Sequence, residues 1–431
     1  MQQKPVELST LTGKAQAYIR NNDTVSRTFQ LIYAIYETVS GVSAITHVDV
    51  KEVTLEAGSE MLVESTEKLF PAISNTAICK IFVWDDKQQP YALLTSDKIN
   101  IQATYHADGS VTYANGLIPM NDKNIQYQGR WKEQANGSFY GYFESGLEFD
   151  FTGTSISVAL EDTCRILYSI DGGGLQRNVT ASGTVVLATG LSEGAHSVKF
   201  YSEYQQSFPK IRNFKINDGA DTKPKAKKPA MEFIGDSISV GYIGAGLVNS
   251  LGSSFSFKTP ELLGFSHNTV AFGGIAMVAG SGGPDNTGMV SRYFKLSEYT
   301  PGEANVSTWD TTKYVPDYVV INLGTNDPST GESASKFKPA YISFLENIRA
   351  CYPNAVVFAM SPFNSAHKNE IAEAVSLRNT AGDNKVIYID TTGWVNIATE
   401  TTDGTHPTIE AQNKISNNLM TSIQNYINQQ H

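Results

Sequence analysis

The sequence predicts a multidomain protein. Its last part, residues 230–431, reads as an α/β domain built as a three-layer α/β/α sandwich on a parallel sheet, preceded by two all-β units. Three observations predict this. From residue 230 onward, apolar runs of strand length are separated by patterns of helical period. Upstream, short alternating runs broken by turn residues recur, as in antiparallel β structure. A chain of 431 residues is also too long for one ordinary core, so two or three domains are expected.

Taken in order, residues 1–97 form the first unit. Arg27 to Tyr36, Val50 to Leu55 and Ala77 to Trp84 alternate in strand fashion, with the spacing of a small β-sandwich. A linker is expected over 98–121 and a second β unit over 122–218, read from Ile125 to Trp131, Gly146 to Thr154 and Leu167 to Gly173. Residues 219–229 are polar and rich in Lys and Pro, the composition of a solvated connector. In the last domain, strands are expected at 231–235, 268–272, 318–323, 355–360 and 385–390. Helices are expected over Ala340 to Ala350, Glu370 to Asn379 and Ile409 to Ile427, giving a flavodoxin-like order.

Four short blocks carry the chemistry: Gly235-Asp236-Ser237, Gly273-Gly274, Gly324-Thr325-Asn326-Asp327 and Asp403-Gly404-Thr405-His406. Ser237 follows the apolar run Met231 to Ile234 and precedes an expected helix start, a corner that exposes a hydroxyl at the carboxyl end of a sheet. A serine hydroxyl is a weak nucleophile until a base takes its proton, and His406 is the candidate base. Asp403, three residues earlier, can accept a hydrogen bond from His406 Nδ1 and fix the tautomer. Acyl transfer also needs donors for the developing oxyanion. The candidates are the Ser237 N–H, an N–H from Gly273 or Gly274, and the Asn326 side-chain amide. Each block alone reads equally well as a turn or a helix cap; the chemistry rests on four of them in this order, three directly after expected strands. The other histidines, His47, His106, His196, His267, His367 and His431, read as structural or solvated.

With Ser237, Gly274, Asn326 and His406 as its four signature residues, the region 230–431 resembles the SGNH/GDSL hydrolase superfamily, and Asp403 matches that family's acid. The alternating runs upstream resemble the jelly-roll domain that precedes the catalytic domain in carbohydrate esterase family 2. Phe82 to Asp86 resembles the end of the immunoglobulin- or fibronectin-like modules attached to secreted bacterial carbohydrate enzymes. The resemblance implies a serine O-deacetylase acting, without a cofactor, on acetylated plant polysaccharides such as xylan or glucomannan. Family 2 members differ in their use of the acid, which leaves Asp403 less constrained than Ser237 or His406. A lipid or aryl esterase would use the same residues with a larger acyl pocket, and a silent carbohydrate-binding protein would keep the fold. Trp394 could stack on a sugar face or be a core tryptophan. Residues 1–97 could bind carbohydrate or act as a spacer, the latter favoured because no aromatic row is evident.

Composition narrows the partners. A formal charge of −10, with no basic surface interleaved with aromatics, argues against nucleic acid and favours a neutral substrate. No apolar run approaches membrane-spanning length, and the start of the chain carries no signal-peptide core. Since polysaccharide is extracellular, a secreted or cell-surface bacterial protein whose signal peptide is absent from this sequence is expected. Cys79, Cys164 and Cys351 fall one to each expected domain, so no intradomain disulfide is expected, and no metal-ligand spacing occurs. The glycine-rich stretch Gly273 to Gly288 lacks the Gly-Lys-Ser/Thr ending of a phosphate loop and reads as a mobile wall of a cleft.

Overall fold

The computed structural model describes residues 7–9, 14–21, 24–39, 42–65, 78–85, 90–95, 103–134, 137–142, 144–203, 208–243, 251–278, 287–296, 307–327 and 334–430. Near the amino terminus the strands are antiparallel and fall into two sheets. One runs Glu7–Ser9, Lys14–Arg20, Glu60–Glu64; the other is ordered Val42–Leu55, Arg27–Val39, Ile78–Asp85, Pro90–Thr95. The three runs expected as strands all lie in the second sheet. Their alternation has a physical basis, since Phe29, Leu31 and Tyr33 are buried on one face and the Tyr33 hydroxyl donates to Val63 O at 2.8 Å.

The next unit is a large antiparallel β domain. Its longest members, Gly146–Thr152, Ser155–Ile170, Gln176–Thr189, Ala195–Ser202 and Lys210–Ile216, enclose Phe149, Phe151, Val158, Ile166, Phe200 and Phe214. Three strands, Ala103–Tyr105, Val111–Tyr113 and Leu117–Pro119, lie in the stretch expected as a linker at 98–121, and Ala220–Lys223 lies in the one expected at 219–229. They are parts of this domain because Val111, Tyr113, Ile118 and Ala220 enter its core. Two further lysines of the connector are also anchored: Lys225 pairs with Asp150 and Lys228 with Glu148.

The C-terminal domain is a five-stranded parallel sheet in the order Ser266–Ala271, Ala230–Gly235, Tyr318–Asn322, Val356–Met360, Val386–Ile389. Successive side chains alternate between its faces. Val319, Ile321, Val357 and Ala359 meet the helices Ala334–Cys351 and Lys368–Thr380, whereas Met231, Phe233, Val320, Phe358 and Met360 meet Phe255–Leu263 and Ile409–Gln429. Both faces are covered, which is why the strands read as unbroken apolar runs. Among the described residues no helix is long and apolar enough to cross a membrane.

The β domain and the parallel sheet share a buried interface. Leu167 and Tyr201 of the former pack with Val240, Leu251, Phe257 and Ala271 of the latter. Next to them His267 is fully buried, stacked on Tyr201 at 5.3 Å, with Nε2 at 3.1 Å from Glu261 and Nδ1 at 3.3 Å from Glu144. Lys199 reaches Glu261 at 2.6 Å. Burial opposes a charge on His267, but the two carboxylates outweigh it and raise its pKa. Glu261 is held down at about 2: burial alone would raise it, and His267 and Lys199 overcome that effect. The His267 charge therefore stabilises the fold fully below its ordinary value of 6.5, and this contribution is lost as pH rises through the raised folded value. The gap in melting temperature between wild type and His267→Gln is expected to be widest at or below pH 6.5 and to narrow above it; a gap that widens with pH would contradict a charged imidazole.

Candidate active site

Strand Ala230–Gly235 ends at Asp236 and Ser237, where the sequence led us to expect a helix. The structure has a compact turn instead. Val240 N–H donates to Asp236 O at 3.0 Å, Gly241 N–H to Ile238 O at 3.2 Å and Tyr242 N–H to Ser237 O at 3.0 Å, and the next long helix begins at Phe255. The turn leaves Ser237 at the carboxyl edge of the sheet, only 7% exposed.

The C-terminal block meets it there. His406 Nε2 lies 2.8 Å from Ser237 Oγ, and His406 Nδ1 lies 2.7 Å from Asp403 Oδ2. The geometry fits one tautomer, with Nδ1–H donating to the carboxylate and Nε2 accepting the serine proton. Asp403 Oδ1 also accepts the N–H groups of His406 at 2.9 Å and Thr405 at 3.1 Å. Burial would raise the Asp403 pKa, but these bonds and the imidazole hold it below the ordinary carboxylate range. The loop is closed by Thr402 N–H donating to His406 O at 2.9 Å.

The two remaining blocks frame the serine. Phe272 to Ile275 form a turn closed by Ile275 N–H to Phe272 O at 3.2 Å, with Gly274 at φ +80°, a conformation glycine takes without strain. Asn326 Nδ2 donates to Ile275 O at 2.8 Å, using one of its two amide hydrogens. Asp327, read from sequence as a possible helix cap, is fully buried and accepts Met277 N–H at 2.9 Å and Val278 N–H at 3.1 Å. The glycine loop and the asparagine loop are thus bolted together by two side chains of one block. Of the expected mobile wall, residues 279–286 lie outside the described residues.

Sequence reasoning missed Tyr242, whose ring meets the His406 imidazole edge-to-face at 4.5 Å. Its position five residues after Ser237 was the available signal. Trp394 is half-buried and packs against a cluster containing Phe358, Ile389, Val395 and Ile415, in keeping with the core alternative. Of the other histidines, His196 pairs with Asp171, His106 bonds Thr112, and His367 precedes the Lys368–Thr380 helix stacked on Phe337. The side chain of His47, and His431, lie outside the described residues. Cys164 and Cys351 are free thiols.

Residues 233–413 match the GDSL-like lipase/acylhydrolase family, and residues 127–225 match the carbohydrate esterase 2 N-terminal family. The chain carries a GDSL-type acylhydrolase domain behind a carbohydrate esterase 2 N-terminal domain. The cellulase/esterase CelE of Acetivibrio thermocellus is 32% identical over 297 residues, 63% of this chain and 36% of that protein. The chain thus spans about a third of that relative's length. A family two carbohydrate esterase from Clostridium thermocellum, solved in complex with cellohexaose, is 27% identical with a TM-score of 0.61, covering 70% of this chain and 99% of that one. An acetyl xylan esterase from Butyrivibrio proteoclasticus has the same fold at 21% identity, with a TM-score of 0.62 and coverage of 72% and 98%.

One buried charge sits beside Ser237. The buried Asp236 carboxylate accepts Ile238 N–H at 3.0 Å and is also favoured by the neighbouring Thr325 side chain. Burial pushes its pKa up to about 6. Between the ordinary 3.8 and about 6 the folded state holds a proton that the unfolded chain has released, so stability falls with rising pH across that window and the cost persists above it. Asp236→Asn keeps the acceptor for Ile238. It is expected to melt higher than wild type above pH 6, with an advantage that fades toward pH 4; an advantage independent of pH would contradict the burial argument.

Proposed function

We propose that this chain is a serine carbohydrate O-deacetylase that removes acetyl groups from plant polysaccharides through an acetyl-serine intermediate. The observation that carries the reading is the hydrogen-bonded chain Asp403–His406–Ser237 within an acylhydrolase domain behind a carbohydrate esterase 2 N-terminal domain. We take that β domain to be the jelly roll its family resemblance implies. Residues 1–97 are read as an immunoglobulin- or fibronectin-like spacer: among the described residues their exposed large apolar side chains are aliphatic, Val48 and Val50 among them, with no exposed aromatic platform. Because the substrate class lies outside the cell, we infer that the protein is exported.

In this mechanism Ser237 Oγ forms a bond to the acetyl carbonyl carbon as His406 Nε2 takes its proton, and the carbonyl π pair moves onto oxygen. The oxyanion is met by the Ser237 and Gly274 N–H groups and the Asn326 amide. Asp403 stabilises the imidazolium through Nδ1. Collapse breaks the bond to the sugar oxygen, which leaves with the proton from His406. Water then attacks the acetyl-serine with the same histidine as base, releasing acetate and regenerating the hydroxyl.

Acetate release from acetylated xylan and acetylated glucomannan by wild type and Ser237→Ala tests the reading. The variant is expected to lose on the order of 10⁶-fold in kcat. Asp403→Ala is expected to lose less, since the Asp403 side chain is 35% exposed and water can replace it; equal losses would overturn that ranking. Rates on a series of esters should fall as the acyl chain lengthens; a rate sustained on long chains would favour a lipid or aryl esterase instead. Asn326→Ala should cost about 10²–10³-fold in kcat. Deleting residues 1–97 should leave retention on polysaccharide unchanged, and lost retention would assign that unit a binding role.

A further inference from the structure

Outside the catalytic blocks, one buried group has no account in the mechanism. Arg130, contributed by the β domain, is 2% exposed, yet among the described residues no carboxylate contacts it and its Nε and Nη2 have no hydrogen-bond partner. An unpaired buried guanidinium is costly. Among the described residues, its hydrogen bond and ring contacts are with the acylhydrolase domain. Its Nη1 donates to Lys295 O, and its guanidinium carbon lies 5.1 Å from the Tyr293 ring centre and 5.8 Å from that of Trp309. The preceding residue makes this approach possible. Gly129 sits at φ +73°, and a Cβ there would come within 2.8 Å of Asn268 on the edge strand of the parallel sheet.

From Arg130 a continuous set of contacts leads to the oxyanion loop. Tyr293 is fully buried; its hydroxyl donates to the buried Glu232, which also accepts from Asn268 Nδ2 at 2.9 Å. Tyr293 N–H donates to Met289 O at 3.0 Å, ending the short turn Met289–Arg292. The start of that turn holds the loop after Gly274: Met289 N–H donates to Ala276 O at 2.9 Å and Val290 N–H to Met277 O at 3.3 Å. On its other side the same loop is held by Asp327 and Asn326. Residues 275–278 are therefore clamped between the asparagine block and a turn whose far end Arg130 pins.

We propose that Arg130 is a positioning residue for the oxyanion loop, so that the β domain is a working part of the esterase site. This rests on the reading that Gly274 and Asn326 face the oxyanion. The β domain fixes the 289–293 turn, the turn fixes residues 275–278, and the Gly274 amide keeps the direction that the transition state needs. Displacement of a catalytic group by about 1 Å through a remote change can cost on the order of 10²-fold in rate.

The test uses the full chain with Arg130→Met and Arg130→Lys, reading kcat, KM and the pH profile on a small acetyl ester, and amide hydrogen exchange. Arg130→Met is expected to lower kcat by roughly 10- to 100-fold while KM stays within about threefold and the profile set by His406 keeps its midpoint. The Met277 and Val278 amides should exchange faster in it, with the Val356–Met360 strand unchanged, and Arg130→Lys should recover part of both. A folded Arg130→Met with wild-type kcat and unchanged exchange at Met277 and Val278 would overturn the proposal. If Arg130→Met does not fold, Tyr293→Phe, which removes the hydroxyl and its bond to Glu232, must raise exchange at the same two amides, and its failure to do so would overturn the proposal equally. A wild type inactive on every ester would sink the esterase reading, while the exchange data would still decide the role of Arg130.

Discussion

Everything else in the active site depends on one hydrogen bond, His406 Nε2 to Ser237 Oγ, made across 169 positions of sequence. Neither partner can be misplaced by much, because a hydrogen bond weakens steeply with distance and angle. The fold fixes the serine by a tight turn at the end of a central strand. It fixes the histidine by a loop whose Asp403 accepts two backbone N–H groups as well as the imidazole. The two supports are joined directly. Gln412, buried near the start of the last helix, donates to Ile238 O at 3.2 Å and accepts Phe255 N–H at 2.8 Å, tying the helix that follows His406 to the nucleophile turn. Thr408 caps that helix by accepting Ala411 N–H at 3.2 Å, so the chain leaves the histidine loop on a defined course.

Much of this was legible in the sequence because its signals are local. The parallel strands are buried on both faces and so read as apolar runs, and their expected limits agree with the observed strands to within two residues. Three of the four blocks are short because each follows a strand end, where a few residues turn the chain. What was not legible depends on contacts between distant segments or on pieces too short for a period to appear. The Phe255–Leu263 helix was missed because Pro260 interrupts it, although Ser254 supplies a proper cap. The strands between residues 103 and 119 have three residues each, too few to show alternation. The contact of Tyr242 with His406 shows in sequence only as its spacing from Ser237, and that of Arg130 with Lys295, 165 positions apart, leaves no mark in either local sequence.

The second feature that the sequence concealed is how charge is distributed. The chain is acidic overall, yet the groups that matter structurally are buried: His267 between Glu144 and Glu261 at the domain interface, Arg130 against two aromatic rings, and Asp236 next to Ser237. Buried ionic groups seldom add net stability compared with apolar packing. Their use here is geometric. His267 and Arg130 hold the β domain against the C-terminal domain, and Asp236 lies next to Ser237 at the end of a strand of the sheet.

The most direct test of this account is to map the adduct formed when the protein is exposed briefly to a fluorophosphonate, in wild type and in His406→Ala. The account expects one adduct in the wild type, on Ser237, and strongly reduced labelling in the variant, because only a serine activated by that imidazole attacks phosphorus readily. Labelling of a different serine, or equal labelling of Ser237 without His406, would contradict it.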